Sequence, residues 1–141
     1  MARFNFAFLN ELAANLCGRR VACTLLPEWE ETDGMAWYAD GVMKIGLHPS
    51  LLGRPGWSKR LPYAFLHECG HIACGHVPEV ERTGDGLSLE DCEARLDADP
   101  GDVVAASVKS YIERVDGEAD DWAMERLPVL CDACESMVIL T

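Results

Sequence analysis

Residues 67–71 read His-Glu-Cys-Gly-His, set inside the run Pro62-Tyr63-Ala64-Phe65-Leu66 before it and Ile72-Ala73 after it. On an α-helix, residues four apart lie one above the other, about 5.4 Å along the axis. Two imidazoles so placed can each give a ring nitrogen to one divalent cation. Glu68 then stands beside the open coordination position, where a carboxylate can take a proton from water. The plainer alternative is a pair of solvated histidines on a helix flank. Tyr63, Phe65, Leu66, Ile72 and Ala73 argue against it, because they imply a largely buried helix. Two histidines and a glutamate are costly to bury without a partner, and a metal is the cheapest partner. Pro62 suits a first helical turn, where its missing N–H costs nothing, and Gly75 suits a C-terminal stop.

A chain of 141 residues is long enough for one domain with a real core, and we read 1–141 as a single unit. Twenty-four acidic against twelve basic residues give a formal net charge of −12, which repels phosphate backbones and argues against direct nucleic-acid binding. No run approaches the roughly 18 apolar residues of a membrane span, and Asn5, Asn10 and Glu11 interrupt any signal-peptide core. Seven cysteines is an odd count, which without an export signal points to reduced thiols in a cytoplasm. The pair Cys131 and Cys134 lacks the second pair that a structural zinc site needs.

Along the chain, Phe4, Phe8, Leu12 and Leu16 recur every four residues, which predicts a helix over 4–16 stopped by Gly18. A strand is expected over 21–26, then an acidic loop. Strands over 35–39 and 42–47 flank Asp40-Gly41, a hairpin signal. Residues 50–59 read as a loop around Gly53, Pro55 and Gly56, and 77–101 as loop-rich with a short helix over 88–96 capped by Ser88. A second long helix is expected over 102–127, ended by Pro128, with Val108, Ile112, Val115, Ala119, Trp122 and Arg126 on one stripe. Residues 137–140 read as a strand or helix end packed on the core. The expected fold is α+β: a small antiparallel sheet packed on the motif helix and on a second, ligand-bearing helix.

Catalytic zinc usually takes three protein ligands and leaves one position for water. Cys74 shares the helix face with both histidines but lies seven residues from His67, about 10.5 Å along the axis and too far to converge. The third ligand should therefore come from the acidic second helix, which carries Glu113, Asp116, Glu118, Asp120 and Asp121. Asp116 and Glu118 flank opposite edges of its stripe at similar angles. Asp116 shares its edge with small Ala119 and Ala123, which admit a close helix; Glu118 lies beside bulky Tyr111 and Trp122. Asp116 is preferred, with Glu118 as the alternative.

The stretch HECGHIACGH, preceded by a hairpin ending in IGLHPSLL and followed by DGEADDWA, resembles the ImmA/IrrE family of metallopeptidases, which favours HExGHxxxGH. The family's later motif, E-x-x-A-N/D-x-F-A, falls on Asp116, Ala119, Asp120, Trp122 and Ala123, with Asp in place of the Glu ligand and Trp in place of Phe. The likeness spans about residues 35–127, and the chain shows no helix-turn-helix domain, which some members carry. The resemblance implies a minimal zincin-like fold and a zinc-dependent endopeptidase in which Glu68 activates water. By the same likeness, Asp120 orients a ligand histidine, and the expected substrate is a regulatory protein such as a phage or mobile-element repressor. His76 and Tyr111 are candidates for stabilising the oxyanion. The rival reading is a non-catalytic zincin-like binding module, or a toxin/antitoxin-type partner, that keeps a structural metal.

Overall fold

The turn Asp40-Gly41 has φ of 54° and 76°, the two positive values that a two-residue type I′ turn requires. In the computed structural model, which describes residues 2–53, 57–80 and 86–140 and the side chains of all these but 57–59 and 131–133, that turn joins β3 (Gly34–Ala39) to β4 (Val42–Leu47). Ala39 faces Val42 and Gly34 faces Leu47 in an antiparallel ladder. The strand β2 (Val21–Leu25) lies on the far side of β4 and runs parallel to it, Val21 opposite Met43 and Leu25 opposite Leu47. The sheet order is β2-β4-β3, so the sheet is mixed, where the sequence suggested an antiparallel one. Residues 26–33 carry the chain past the central position to the outer edge before β3 starts, so β4 returns between its two neighbours. Central β4 supplies Met43, Ile45 and Leu47 to the core, whereas every residue of edge strand β3 is only half-buried.

The two ends of the chain pair with each other. A strand β1 (Ala2–Phe4) runs antiparallel to β5 (Val138–Leu140), Ala2 opposite Leu140. The first helix, α1, is therefore Phe6–Cys17 and not 4–16. Asn5 explains the shift: its Oδ1 accepts the Phe8 N–H at 3.3 Å as an N-cap, while its own N–H reaches the Met137 carbonyl at 2.8 Å and its Nδ2 donates to Ser136 O at 3.0 Å. The periodicity of Phe4 fits helix and strand alike, and the cap decides. Leu9 and Ala13 of α1 join the strand residues, Leu51, Phe65, Leu66 and Met137 in one buried cluster.

The expected loop over 50–59 instead holds a four-residue helix α2 (Ser50–Gly53), with Leu51 fully buried, and the start of α3 (Trp57–Ala73). Pro62 thus sits in the sixth position of α3, past the first turn, where its missing N–H costs the helix one internal bond. Beyond Ala73 the chain turns at Gly75, φ 76°: its N–H reaches Ile72 O at 3.1 Å and the His76 N–H reaches His71 O at 2.8 Å. This is a Schellman stop, and it folds His76 back beside His71. Helix α4 (Leu89–Ala98) opens with the reciprocal bonds of a capping box between Ser88 and Asp91. Helix α5 (Val103–Leu130) starts at Asp102, whose Oδ1 accepts the Ala105 N–H at 3.0 Å. It passes through Pro128, the expected breaker, and tightens into a 3₁₀ segment (Cys131–Met137). A proline there withholds a single N–H within the last turn, too late to break the helix. Among the described residues, no helix is long and apolar enough to cross a membrane.

Helices α3 and α5 meet at Gly70 and Ala119, both fully buried or nearly so. A Cβ added at Gly70 would lie 2.7 Å from the Ala119 carbonyl oxygen and 3.1 Å from its Cα, both backbone atoms that cannot swing aside. At Gly117, two residues before Ala119 on α5 and exposed, an added Cβ would meet nothing within 4 Å. Chemical denaturation of the metal-free protein should therefore show opposite signs for the same change. Gly117→Ala should stabilise by about 0.5–1 kcal/mol through helix propensity. Gly70→Ala should destabilise by about 1–3 kcal/mol through overpacking. Equal shifts would mean that the two helices do not approach this closely.

Candidate metal centre

Helix α3 presents His67 and His71 one turn apart, and α5 brings Asp116 to them from three residues before Ala119. His71 Nε2 lies 3.0 Å from Asp116 Oδ1 and 3.2 Å from His67 Nε2, and His67 Nε2 lies 3.6 Å from the same carboxylate oxygen. A tetrahedral ion with bonds of about 2.0–2.1 Å separates its ligand atoms by about 3.3–3.4 Å. The triangle fits that spacing to within a few tenths of an ångström. These three residues form a group able to hold a metal ion. The histidine side chains are 19% and 15% exposed and that of Asp116 is 53% exposed, so the group opens to solvent on the α5 side.

Glu68 adds a second carboxyl group to the site. Its side chain is buried, and an added Cβ at Gly34 would lie 3.0 Å from its Cγ and 3.1 Å from Oε2, so the bare first residue of β3 makes its room. Burial, and then the neighbouring Asp116 carboxylate, push Glu68 up to about 8. His71 is shifted the other way, chiefly by burial and then by His67, with Asp116 opposing, which favours the neutral imidazole that a ligand must be. A second carboxyl group crowded against Asp116, with His71 held towards its neutral form, is a donor set that a bound cation would favour. The chemistry of the set fits zinc, for which imidazole nitrogen and carboxylate oxygen are ordinary ligands.

The remaining expected residues fall into distinct places. Asp120 Oδ1 lies 3.8 Å from His67 Nδ1, on the correct side to orient it but beyond hydrogen-bond reach, and that nitrogen has no partner among the described residues. Asp120 instead accepts a hydrogen bond from the Tyr63 hydroxyl. That bond, first among several causes, raises Tyr63 to about 12 and keeps its proton in place. Glu118, the alternative third ligand, is engaged elsewhere: its Oε2 lies 2.7 Å from His76 Nε2. His76 Nδ1 lies 3.0 Å from His71 Nδ1. Both ring nitrogens of His76 are thus engaged, one towards His71 and one towards Glu118. Tyr111 stands on the wall of the adjoining cavity, with the Arg114 guanidinium 5.3 Å from its ring centre. Cys74 is an exposed free thiol and Cys134 a half-buried one; the Cys131 side chain lies outside the described residues.

Two cavities meet at the donor triangle. One, of about 310 Å³, is lined by Thr32, Asp33, Gly34, Tyr63 and His67; the other, of about 470 Å³, by Ala36, Tyr38, Val77, Val80, Ile112 and Val115 among others. Glu68, His71 and Asp116 line both. The cavities therefore follow β3 from Gly34 to Tyr38, with the candidate ligands between them. Tyr63 was the residue missed from the sequence. It lies four before His67 on α3, and its ring stacks on that imidazole at 6.0 Å and 29°. Helical spacing could have found it; nothing in the sequence marks Gly34.

Purified protein should carry about one zinc per chain, because one three-ligand group is present among the described residues. Asp116→Ala should lower zinc affinity by more than about 100-fold, the upper end for losing a partner outside the ligand set. Glu113→Ala, an exposed change earlier on α5, should leave it unaltered. Competition with a chromogenic chelator measures both, and equal affinities for the two variants would remove Asp116 from the site.

No protein-family model matches the chain, and neither does any curated protein or any solved structure. The geometry of the site therefore carries the functional reading.

Proposed function

We propose that this chain is a zinc-dependent endopeptidase with a zincin-like layout. The observation that carries the reading is the donor triangle of His67, His71 and Asp116 with a buried carboxylate, Glu68, at the junction of two cavities along an open sheet edge. A zinc ion bound there supplies Lewis acidity, polarising a carbonyl and making water acidic enough to deprotonate near neutral pH. Glu68 is the base that takes the proton of the attacking water and later hands it to the leaving amine. The outer edge of β3 binds the substrate as an added strand, through backbone hydrogen bonds that hold the peptide extended past Glu68. Because cavities lie on both sides of the ligands, residues before and after the cut bond can be held. The apolar wall formed by Val77, Val80, Ile112 and Val115 favours a large apolar side chain next to the cut.

The substrate we propose is a regulatory protein, such as the transcriptional repressor of a phage or mobile element. The net charge of −12 favours encounter with a basic, DNA-binding partner and disfavours contact with the nucleic acid itself. Free thiols at Cys17, Cys23, Cys69, Cys74, Cys92 and Cys134 suit work in a reducing cytoplasm.

The test is incubation with the repressor encoded beside its gene, with and without chelator. Wild type should cut it, chelator should stop the reaction, and Glu68→Gln should keep zinc but lose at least about 100-fold in rate, since a carboxamide cannot accept the proton. Cleavage by Glu68→Gln at the wild-type rate would rule out Glu68 as the base. Zinc binding with no cleavage of any candidate repressor would favour the non-catalytic binding module.

A further inference from the structure

We infer that His76 and Glu118 form a strut that fixes His71 in its metal-binding orientation, a positioning role that rests on the metal site proposed above. The chain of contacts leaves each ring one arrangement of protons. His71 presents Nε2 to the donor triangle, 3.0 Å from Asp116 Oδ1, so that nitrogen must keep its lone pair and the proton must sit on Nδ1. Nδ1 lies 3.0 Å from His76 Nδ1, which is then the acceptor. His76 accordingly carries its own proton on Nε2, and it donates that proton to Glu118 Oε2 at 2.7 Å.

The backbone holds His76 as firmly as the side chains do. The Schellman stop sends its N–H to the His71 carbonyl at 2.8 Å, so one residue grips His71 by main chain and ring together. The His76 side chain is 8% exposed, which leaves little room for another rotamer, whereas that of Glu118 is 48% exposed. Glu118 comes from α5, so the strut spans the same two helices that Gly70 and Ala119 bring into contact. The other ligand imidazole has no such support: His67 Nδ1 lacks a partner among the described residues. His71 is thus the ligand whose ring is held in advance. Glu118 acts on the metal through two imidazoles, not by direct ligation.

Zinc affinity by chelator competition and the visible absorption of the cobalt-loaded protein test this, with melting of the metal-free protein as a check on folding. His76→Phe should lower zinc affinity by about 10–100-fold, the usual cost of losing an outer partner, and alter the cobalt spectrum. Glu118→Ala should lower it by about tenfold, and Glu118→Gln, whose amide oxygen can still accept from His76, should restore most of that loss. Asp121→Ala, which removes an exposed charge from α5 without touching the strut, should leave affinity unchanged. The strut is overturned if wild type binds zinc and both Glu118→Ala and His76→Phe bind it as tightly. It is also overturned if only His76→Phe is impaired, or if Glu118→Gln and Asp121→Ala fall as far as Glu118→Ala. A wild type that takes up no zinc overturns the strut and the metal site together.

Discussion

The contact between Gly70 and the Ala119 backbone sets the distance between the two helices that share the candidate metal site. An aspartate reaches one methylene less far than a glutamate, so Asp116 meets the His67 and His71 nitrogens only if α5 lies close to α3. A side chain at position 70 would hold the helices apart by displacing main-chain atoms, not a flexible tip. The glycine within the motif and the alanine on the facing helix thus act as a spacer of zero width. Ala123, fully buried one turn on, continues the close seam.

With the helices at that separation, the site accumulates groups that disfavour one another. Glu68 and Asp116 repel, both imidazoles are largely buried, and the Glu68 side chain is buried against Gly34. Without a cation, burial and the Asp116 carboxylate drive Glu68 towards its protonated form, because a second buried carboxylate there is costly. A divalent ion bound there would favour both carboxylates in their charged form and both imidazoles in their neutral form. The rest of the fold carries this load: the pairing of the two chain ends, the sheet centred on β4 and the α1 face all pack into the cluster behind α3. The same packing places β3 beside Glu68, with its outer edge unpaired among the described residues.

Local signals in the sequence predicted most elements. The hairpin follows from Asp40-Gly41, the capping box from Ser88 and Asp91, and the close seam from Ala119 and Ala123. What the sequence concealed were pairings between distant segments. Strand β1 is three residues long and looks like the start of α1 until β5 is seen beside it. The parallel alignment of β2 with β4 depends on where the loop over 26–33 crosses, which no residue in it encodes. At the site, the sequence prefers Asp116 to Glu118 on steric grounds, and the structure places Asp116 at the triangle and Glu118 at His76. The place of His76 depends on the αL turn at Gly75. The spacing of glycine and histidine hinted at that turn, but the direction in which the ring would point could not be read from it.

The central claim is that two imidazoles and one carboxylate, assembled by the α3–α5 crossing, hold a single metal ion. X-ray absorption at the zinc edge of the loaded protein tests it most directly. A shell of nitrogen and oxygen atoms at about 2.0–2.1 Å, with the outer scattering of two imidazoles and no sulfur, is the predicted result. A sulfur shell at about 2.3 Å would contradict it, because zinc would then be held by cysteine thiolates and not by His67, His71 and Asp116.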